Sequence, residues 1–271
     1  MGDPDYSQSF DSIFALSPLA DGAAEARFPF AWGGATLACA VLAACRSCPD
    51  KDLHSLHSWF LRPVLAETPA RVAVERLRDG RQISHRRVQL FADDKLLHEL
   101  TASFSAPGGP DAIAYQDARP DPGIPGPEGL KTLLQIALDE GRTAWPGPLE
   151  WAPIGSPHIH GSGGAPTSWD AWVRLTAPLP DGVGWAAAAL AYMSDNHSDW
   201  CMAQQVKDYT ITRYSTLDTA IWLHHPPRWD DWLLVRSVSD VAHDGFGIVR
   251  RTAYDRSGRL VATMAQEALY R

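Results

Sequence analysis

The stretch Val183-Gly184-Trp185-Ala186-Ala187-Ala188-Ala189-Leu190-Ala191-Tyr192-Met193-Ser194-Asp195 is apolar on every side and rich in good helix formers. A helix without a polar face must be surrounded by other elements, and its small alanines allow their backbones to approach closely. The run ends at Asp195, where a carboxylate is unfavourable because a helix C-terminus carries a partial negative charge. A buried acid in an unfavourable position is a candidate functional residue.

The composition is that of a protein with a substantial core and an acidic surface. The 271 residues are 45% apolar and carry a net charge of -8. This length allows two ordinary domains or one closely joined pair. The negative charge argues against nucleic acid or an anionic membrane as the main partner. No apolar run reaches the roughly 18 to 20 residues that span a bilayer, so we expect no membrane span.

The N-terminus and the cysteines predict a cytoplasmic protein. The first residues are acidic and lack the basic-then-apolar order of a signal peptide. Four cysteines are too few and too clustered for a disulfide framework. Cys45 and Cys48 have the spacing of a redox motif, but they close an apolar helix, which favours buried thiols.

The first half of the chain combines one helix with an antiparallel meander. An apolar run over residues 35–45 predicts a buried helix that ends before Pro49. Four segments with strand character follow it, at residues 53–63, 71–77, 83–92 and 96–105. The region before the helix is a polar lead-in without a predicted strand.

The second half repeats the first after a region rich in proline and glycine. Residues 106–129 contain six prolines and five glycines and predict a linker, residues 130–140 a short helix, and residues 144–168 another irregular stretch. A strand at 170–177, the apolar helix, and strands at 214–224, 232–242, 246–254 and 259–270 follow. We therefore predict an N-terminal unit at 1–105, a linker with a short helix at 106–168, and a C-terminal unit at 169–271.

A helix that is apolar all round, followed by a meander, has few packing solutions. The sheet must curl around the helix, which is the hotdog arrangement. Two copies in one chain predict an α+β double hotdog whose two sheets pair edge to edge.

Strand alternation places one amide on an apolar face of the last strand. Gln266 shares a face with Leu260, Ala262, Met264, Ala268 and Tyr270, and that face points at the helix that ends in Asp195. A buried amide must find hydrogen-bond partners. The corresponding position in the first copy is about Thr101, and the first helix has no acid at the position of Asp195. Only the second copy therefore carries the polar groups of a candidate site.

A hydroxyl from a third segment completes the candidate site. The alternation predicts that Thr216 and Asp218 share a face with Ala220 and Trp222. Asp195, Thr216 and Gln266 together would activate a water molecule, with the carboxylate as the base, for attack on an acyl carbon. Backbone N–H groups near a glycine-containing turn would stabilise the oxyanion.

Several ordered motifs resemble the acyl-CoA thioesterase II family of double-hotdog hydrolases. In the first half they are Gly33-Gly34, His54-Ser55-Leu56-His57-Ser58-Trp59-Phe60-Leu61-Arg62-Pro63, Leu77-Arg78-Asp79-Gly80, Arg86-Arg87-Val88 and Thr101-Ala102-Ser103-Phe104. In the second half they are Trp172-Val173-Arg174, Leu190-Ala191-Tyr192-Met193-Ser194-Asp195-Asn196, Thr216-Leu217-Asp218 with Trp222, and Gln266-Glu267. The resemblance implies hydrolysis of acyl-CoA thioesters with Asp195, Thr216 and Gln266 as catalytic residues.

The chain departs from the family pattern after Thr216. The family usually has Asp-His-Ser where this chain has Asp218-Thr219-Ala220, and His224-His225-Pro226 replaces a histidine-arginine-proline step. Two alternatives therefore stay open: a biosynthetic thioesterase acting on a carrier-bound or unusual acyl group, and a module that binds acyl-CoA without hydrolysis. A hotdog hydratase or dehydratase would need a histidine paired with the acid, and His197 is the nearest in sequence.

The remaining expectations concern charges, metals and assembly. Arg86-Arg87 and Arg250-Arg251 could hold CoA phosphates, but arginines on strands are usually solvated, and we assign them no role. His158 and His160 lack further ligands at useful spacing, so we expect no metal. We also expect no cofactor, since CoA enters as part of the substrate, and a homo-oligomer, because exposed sheet edges favour assembly.

Overall fold

A computed structural model of the chain describes residues 8–108, 112–142, 147–155, 167–198, 200–203 and 214–270. After a 3-10 turn at Phe10–Ser12, the first half contains β1 (Ala15–Pro18), β2 (Ala24–Arg27), α1 (Gly33–Arg46), β3 (Asp52–Phe60), β4 (Ala70–Asp79), β5 (Ile83–Ala92) and β6 (Lys95–Ser105). The second half contains α2 (Leu133–Asp139), β7 (Leu149–Pro153), β8 (Ser168–Leu175), α3 (Trp185–Asp195), α4 (Trp200–Ala203), β9 (Tyr214–Leu223), β10 (Leu233–His243), β11 (Phe246–Tyr254) and β12 (Leu260–Tyr270).

The strands form one antiparallel sheet that repeats its own topology. The order is β1-β2-β4-β5-β6-β3-β9-β12-β11-β10-β8-β7, so each half, read inward from its edge, follows the same path. The halves join where β3 pairs with β9, with Leu56 opposite Ile221. The predicted double hotdog with edge-to-edge sheets is therefore confirmed.

The two central helices are buried, as their sequences predict. Every residue of α1 from Gly34 to Cys45 is buried, and so is α3 from Ala188 to Asp195. A Cβ on Gly184, which begins α3 with φ +94°, would lie 2.6 Å from the Cβ of Cys45 near the end of α1. A Cβ on Gly33, at the start of α1, would lie 3.0 Å from Asp195 Oδ2 at the end of α3. The helices thus run antiparallel in close contact.

Three strands fall where the sequence predicts irregular structure. β1 and β2 lie in the predicted polar lead-in, and β7 lies within the predicted irregular stretch. They have only four or five residues, and β1 is almost wholly exposed. Such short strands at a sheet edge show little apolar alternation, which is why the pattern does not reveal them.

Two arginines that are expected from the sequence to be solvated are instead buried. Arg86 is 2% and Arg251 is 3% exposed. Arg86 donates from Nη2 to the carbonyl of Ser47 at 3.2 Å, just after α1, and Arg251 donates from Nη1 to the carbonyl of Ser194 at 3.1 Å in the last turn of α3. Each half therefore places a cation against the negative end of its own helix.

The described residues also bear on the thiols, membranes and metals. All four cysteines are buried, and Cys45 and Cys48 are free thiols, which confirms the prediction for this pair. Among these residues no helix is long and apolar enough to cross a bilayer, and no group of three or more potential ligands could hold a metal ion. His158 and His160 lie outside them, so the absence of a metal stays a prediction.

Candidate active site

Asp195 lies where the two central helices meet. Its side chain closes α3 and is 6% exposed. The carboxylate accepts a hydrogen bond from the backbone N–H of Gly34 in the first turn of α1. The positive end of one helix thus offsets the unfavourable position at the negative end of the other, and the guanidinium of Arg251 adds a second positive charge nearby.

Gln266 reaches Asp195 from β12. Ala262, Met264, Gln266 and Ala268 are all buried, which confirms the predicted inner face over this part of the strand. Gln266 Nε2 donates to Asp195 Oδ1 at 2.6 Å, and since a carboxylate oxygen only accepts, this contact fixes the orientation of the amide. The other amide atom, Oε1, is buried without a hydrogen-bond partner among the described residues.

Thr216 completes the cluster, but not on the face that the sequence predicts. Its Oγ1 donates to Asp195 Oδ1 at 2.9 Å and lies 2.8 Å from Gln266 Nε2. Ala268 pairs with Thr216 while Glu267 pairs with Asp218, so Leu217 is an extra residue in the ladder.

The extra residue reverses the alternation of β9. A β-bulge of this kind turns Thr216 to the inner face, whereas Asp218 and Trp222 belong to the outer face. The prediction that Thr216 shares a face with Asp218, Ala220 and Trp222 is therefore wrong. The prediction that its hydroxyl meets Asp195 and Gln266 holds only because the bulge re-aims it.

Further hydroxyls extend the cluster beyond the predicted residues. Tyr214 OH lies 3.4 Å from Thr216 Oγ1 and 2.6 Å from Ser198 Oγ. Neither residue stands out in the sequence, because tyrosine and serine are ordinary in such positions. Only their proximity to Thr216 gives them a place in the cluster.

Burial dominates the acid–base properties of Asp195. Loss of solvation raises the pKa of its carboxyl above the ordinary aspartate value, and the hydrogen bonds from Thr216, Gln266 and Gly34 oppose that rise in part. A carboxylate with a raised pKa accepts a proton more readily than an exposed one. The arrangement thus suits a general base that acts on water.

The first copy lacks equivalent groups, although the matching position differs from the one predicted. β3 carries its own bulge at His54. Ala102 pairs with Leu56, two residues beyond this bulge, just as Gln266 pairs with Thr219, two residues beyond the bulge at Leu217. Counted from the bulges, Ala102 rather than Thr101 corresponds to Gln266, and Leu53 corresponds to Thr216. An alanine and a leucine cannot hold a water molecule by hydrogen bonds.

His197 occupies an aromatic enclosure. Its ring centroid lies 4.2 Å from that of Trp200, 5.2 Å from that of Trp151 and 5.9 Å from that of Trp169. Burial lowers the pKa of the imidazole to about 3, so the ring is neutral near pH 7. Its observed contacts are those of a packed aromatic residue.

Two family models that adjoin each other match residues 25–270. Residues 25–115 match the model described as the acyl-CoA thioesterase N-terminal domain, and residues 116–270 match the acyl-CoA thioesterase C-terminal domain. The chain belongs to the acyl-CoA thioesterase family. This assignment confirms the resemblance drawn from the sequence motifs.

Individual acyl-CoA thioesterases match over nearly their full length. Acyl-CoA thioesterase 2 from Haemophilus influenzae is 27% identical over 256 residues, which are 89% of this chain and 87% of that protein. Acyl-coenzyme A thioesterase 8 from Mus musculus is 27% identical over 258 residues, with coverages of 89% and 80%.

A solved structure of the same family shares the fold. The acyl-CoA thioesterase II TesB2 from Mycobacterium marinum superposes with a TM-score of 0.79 at 27% identity, covering 96% of this chain and 97% of that one. A conserved hotdog protein from Alicyclobacillus acidocaldarius has a TM-score of 0.78 at 18% identity and covers 98% of both chains, which supports the fold alone.

Proposed function

We propose that this acyl-CoA thioesterase hydrolyses fatty or related acyl-CoA thioesters by direct attack of water, without a covalent intermediate and without a cofactor, and that Asp195, Thr216 and Gln266 are its catalytic residues. One observation carries the proposal: the three side chains, from three distant segments, contact one another directly in a buried site. The family assignment supplies the reaction class.

The proposed reaction assigns a separate task to each side chain. Asp195 removes a proton from the water as its oxygen bonds to the acyl carbon, and a tetrahedral oxyanion forms. The oxyanion then collapses, the carbon–sulfur bond breaks, and the proton on Asp195 passes to the departing CoA thiolate. Thr216 and the amide N–H of Gln266 hold the carboxylate by their hydrogen bonds, while Gln266 Oε1 accepts from the second O–H of the water.

The start of α1 offers the means to stabilise the oxyanion. The first N–H groups of a helix have no acceptor within it and carry partial positive charge. Gly33 and Gly34 bring this end of α1 beside Asp195, and the absence of a Cβ on Gly33 leaves room there. The N–H of Gly34 already donates to Asp195, so we assign the oxyanion to the other N–H groups of this first turn.

The cellular location and the assembly are inferred from the cysteines and from the edge of the sheet. We place the protein in the cytoplasm and in lipid metabolism, as a homo-oligomer whose partner is an acyl thioester. The support is that Cys39, Cys45 and Cys48 are buried free thiols, which suits a reducing compartment, and that the short strand β1 at the sheet edge is open to pairing.

The first test measures CoA release from a panel of acyl-CoAs with a thiol reagent. Replacement of Asp195 by asparagine, which keeps the size but cannot accept the proton, is expected to lower kcat by about 10²- to 10⁴-fold, the usual contribution of a general base. Asp218→Asn is the matched control, because Asp218 lies on the opposite face of the same sheet.

Two outcomes would contradict the proposal. Full turnover by Asp195→Asn would remove the assigned base. Tight binding of acyl-CoA by the wild type with no release of thiol would instead identify a non-hydrolytic binding module.

A further inference from the structure

A row of polar side chains crosses the seam between the two halves. On the inner face, Gln266 of β12 pairs with Thr219 of β9, and Thr219 pairs with Ser58 of β3. Residues paired in this way have Cβ atoms about 4.5–5.5 Å apart. Thr219 therefore lies beside the catalytic amide, between it and the first half of the chain.

Two atoms of this row are buried without a hydrogen-bond partner among the described residues. They are Thr219 Oγ1 and Gln266 Oε1, in side chains that are 2% and 5% exposed. A buried polar group without a hydrogen-bond partner destabilises the folded state. Two such atoms on paired residues indicate that a polar molecule binds between them.

Ser58 does not satisfy Thr219. The hydroxyl of Ser58 lies 2.5 Å from His98 Nε2, and both side chains are 1% exposed. Burial lowers the pKa of His98 to about 3, so this pair is neutral. Of the two residues paired with Thr219 in this row, Ser58 is thus engaged elsewhere, and Gln266 is the one whose buried oxygen also lacks a partner among the described residues.

The surrounding residues close the site on the side of the first half. The ring of Phe60 packs against His98 with centroids 4.8 Å apart. A Cβ added to Gly33 would lie 3.1 Å from a ring carbon of Phe60 and 3.0 Å from Asp195 Oδ2. Side chains of both halves therefore surround the carboxylate of Asp195.

We propose that Thr219 is a fourth catalytic residue, whose hydroxyl donates a hydrogen bond to the attacking water. This inference rests on the proposed function. Water has two protons and two lone pairs: Asp195 takes one proton, Gln266 Oε1 accepts from the other O–H, and Thr219 occupies one lone pair. The remaining lone pair is the nucleophile, and three protein contacts fix its direction toward the acyl carbon.

The test compares kcat, KM and the midpoint of thermal unfolding for three variants. Thr219→Val keeps the shape and removes the hydroxyl, and it should lower kcat by at least about tenfold with KM nearly unchanged. Its unfolding midpoint should stay the same or rise, since an unsatisfied buried hydroxyl is lost. Thr219→Ser should retain most of kcat, and Thr252→Val, a matched change on the outer face of β11, should leave kcat unaltered.

A packing defect would lower both kcat and the unfolding midpoint, whereas loss of a catalytic hydroxyl lowers kcat without lowering the midpoint. Wild-type kcat in Thr219→Val would overturn the inference. Should that variant fail to fold, equal kcat values for Thr219→Ala and Thr219→Ser would overturn it as well. Asp195→Asn is assayed in parallel: its loss of activity beside a fully active Thr219→Val rejects only the role of Thr219, whereas an active Asp195→Asn rejects the proposed mechanism itself.

Discussion

At the scale of the residue, the proposed mechanism depends on how one carboxylate is held. Asp195 is buried, which raises its pKa, yet it receives hydrogen bonds from a hydroxyl, an amide and a backbone N–H. These hydrogen bonds replace part of the solvation that the ionised carboxylate loses on burial. The ionised carboxylate that we propose as the base therefore still costs the folded state free energy.

The raised pKa of Asp195 predicts opposite pH trends for activity and stability. kcat/KM should rise with pH through the pKa of Asp195, because only the carboxylate accepts a proton. The folded state binds this proton more tightly than the unfolded state, so protonation of Asp195 stabilises the fold. This stabilisation is complete below the pKa of the unfolded state and is lost as pH rises through the pKa of the folded state.

Urea unfolding of wild type and Asp195→Asn across that pH range provides the measurement. The variant should lack this decline in the free energy of unfolding. Parallel curves for the two proteins would show that Asp195 does not titrate with a raised pKa.

At the scale of the element, each central helix needs a partner for its C-terminal carbonyls. Arg251 donates to the carbonyls of Met193 and Ser194, next to Asp195. Its neighbour Arg250 points the other way and pairs with exposed Asp240 on the surface. Adjacent arginines on one strand thus serve different faces and different purposes.

Replacing Arg251 by glutamine should destabilise the fold by about 2 kcal/mol, since charged hydrogen bonds to buried carbonyls are lost. It should also raise the pH at which kcat/KM reaches half its maximum, because the charge of Arg251 lowers the pKa of Asp195. Urea unfolding and a pH–activity profile measure both effects. Arg250→Gln is the control, and equal effects from the two changes would contradict the assigned roles.

At the scale of the whole molecule, two copies of one unit have diverged while sharing a single site. The second copy supplies Asp195, Thr216 and Gln266, and the first supplies Gly33, Gly34 and Phe60 around the carboxylate. Leu53 and Ala102 show that the first copy has lost, or never had, equivalent polar groups. The proposed site therefore depends on the contact between the halves.

A change in the first half is accordingly expected to affect chemistry in the second. Gly33→Ala would place a methyl group 3.0 Å from Asp195 Oδ2 and 3.1 Å from the ring of Phe60. Displacement of the carboxylate should lower kcat/KM by about tenfold to a hundredfold. Gly147→Ala, where nothing lies within 4 Å of the added Cβ, is the control. Unchanged kinetics in Gly33→Ala would show that α1 does not shape the site.

The sequence by itself determined the repeated helix and meander, the buried face of β12 and the candidate role of Asp195. These follow from apolar periodicity, which records burial locally along each element. The structure alone decided that Thr216 faces inward, that Arg251 is buried, and that short strands extend both sheet edges. A bulge, a helix end and an edge partner depend on which distant segments meet, and a local pattern carries no record of that.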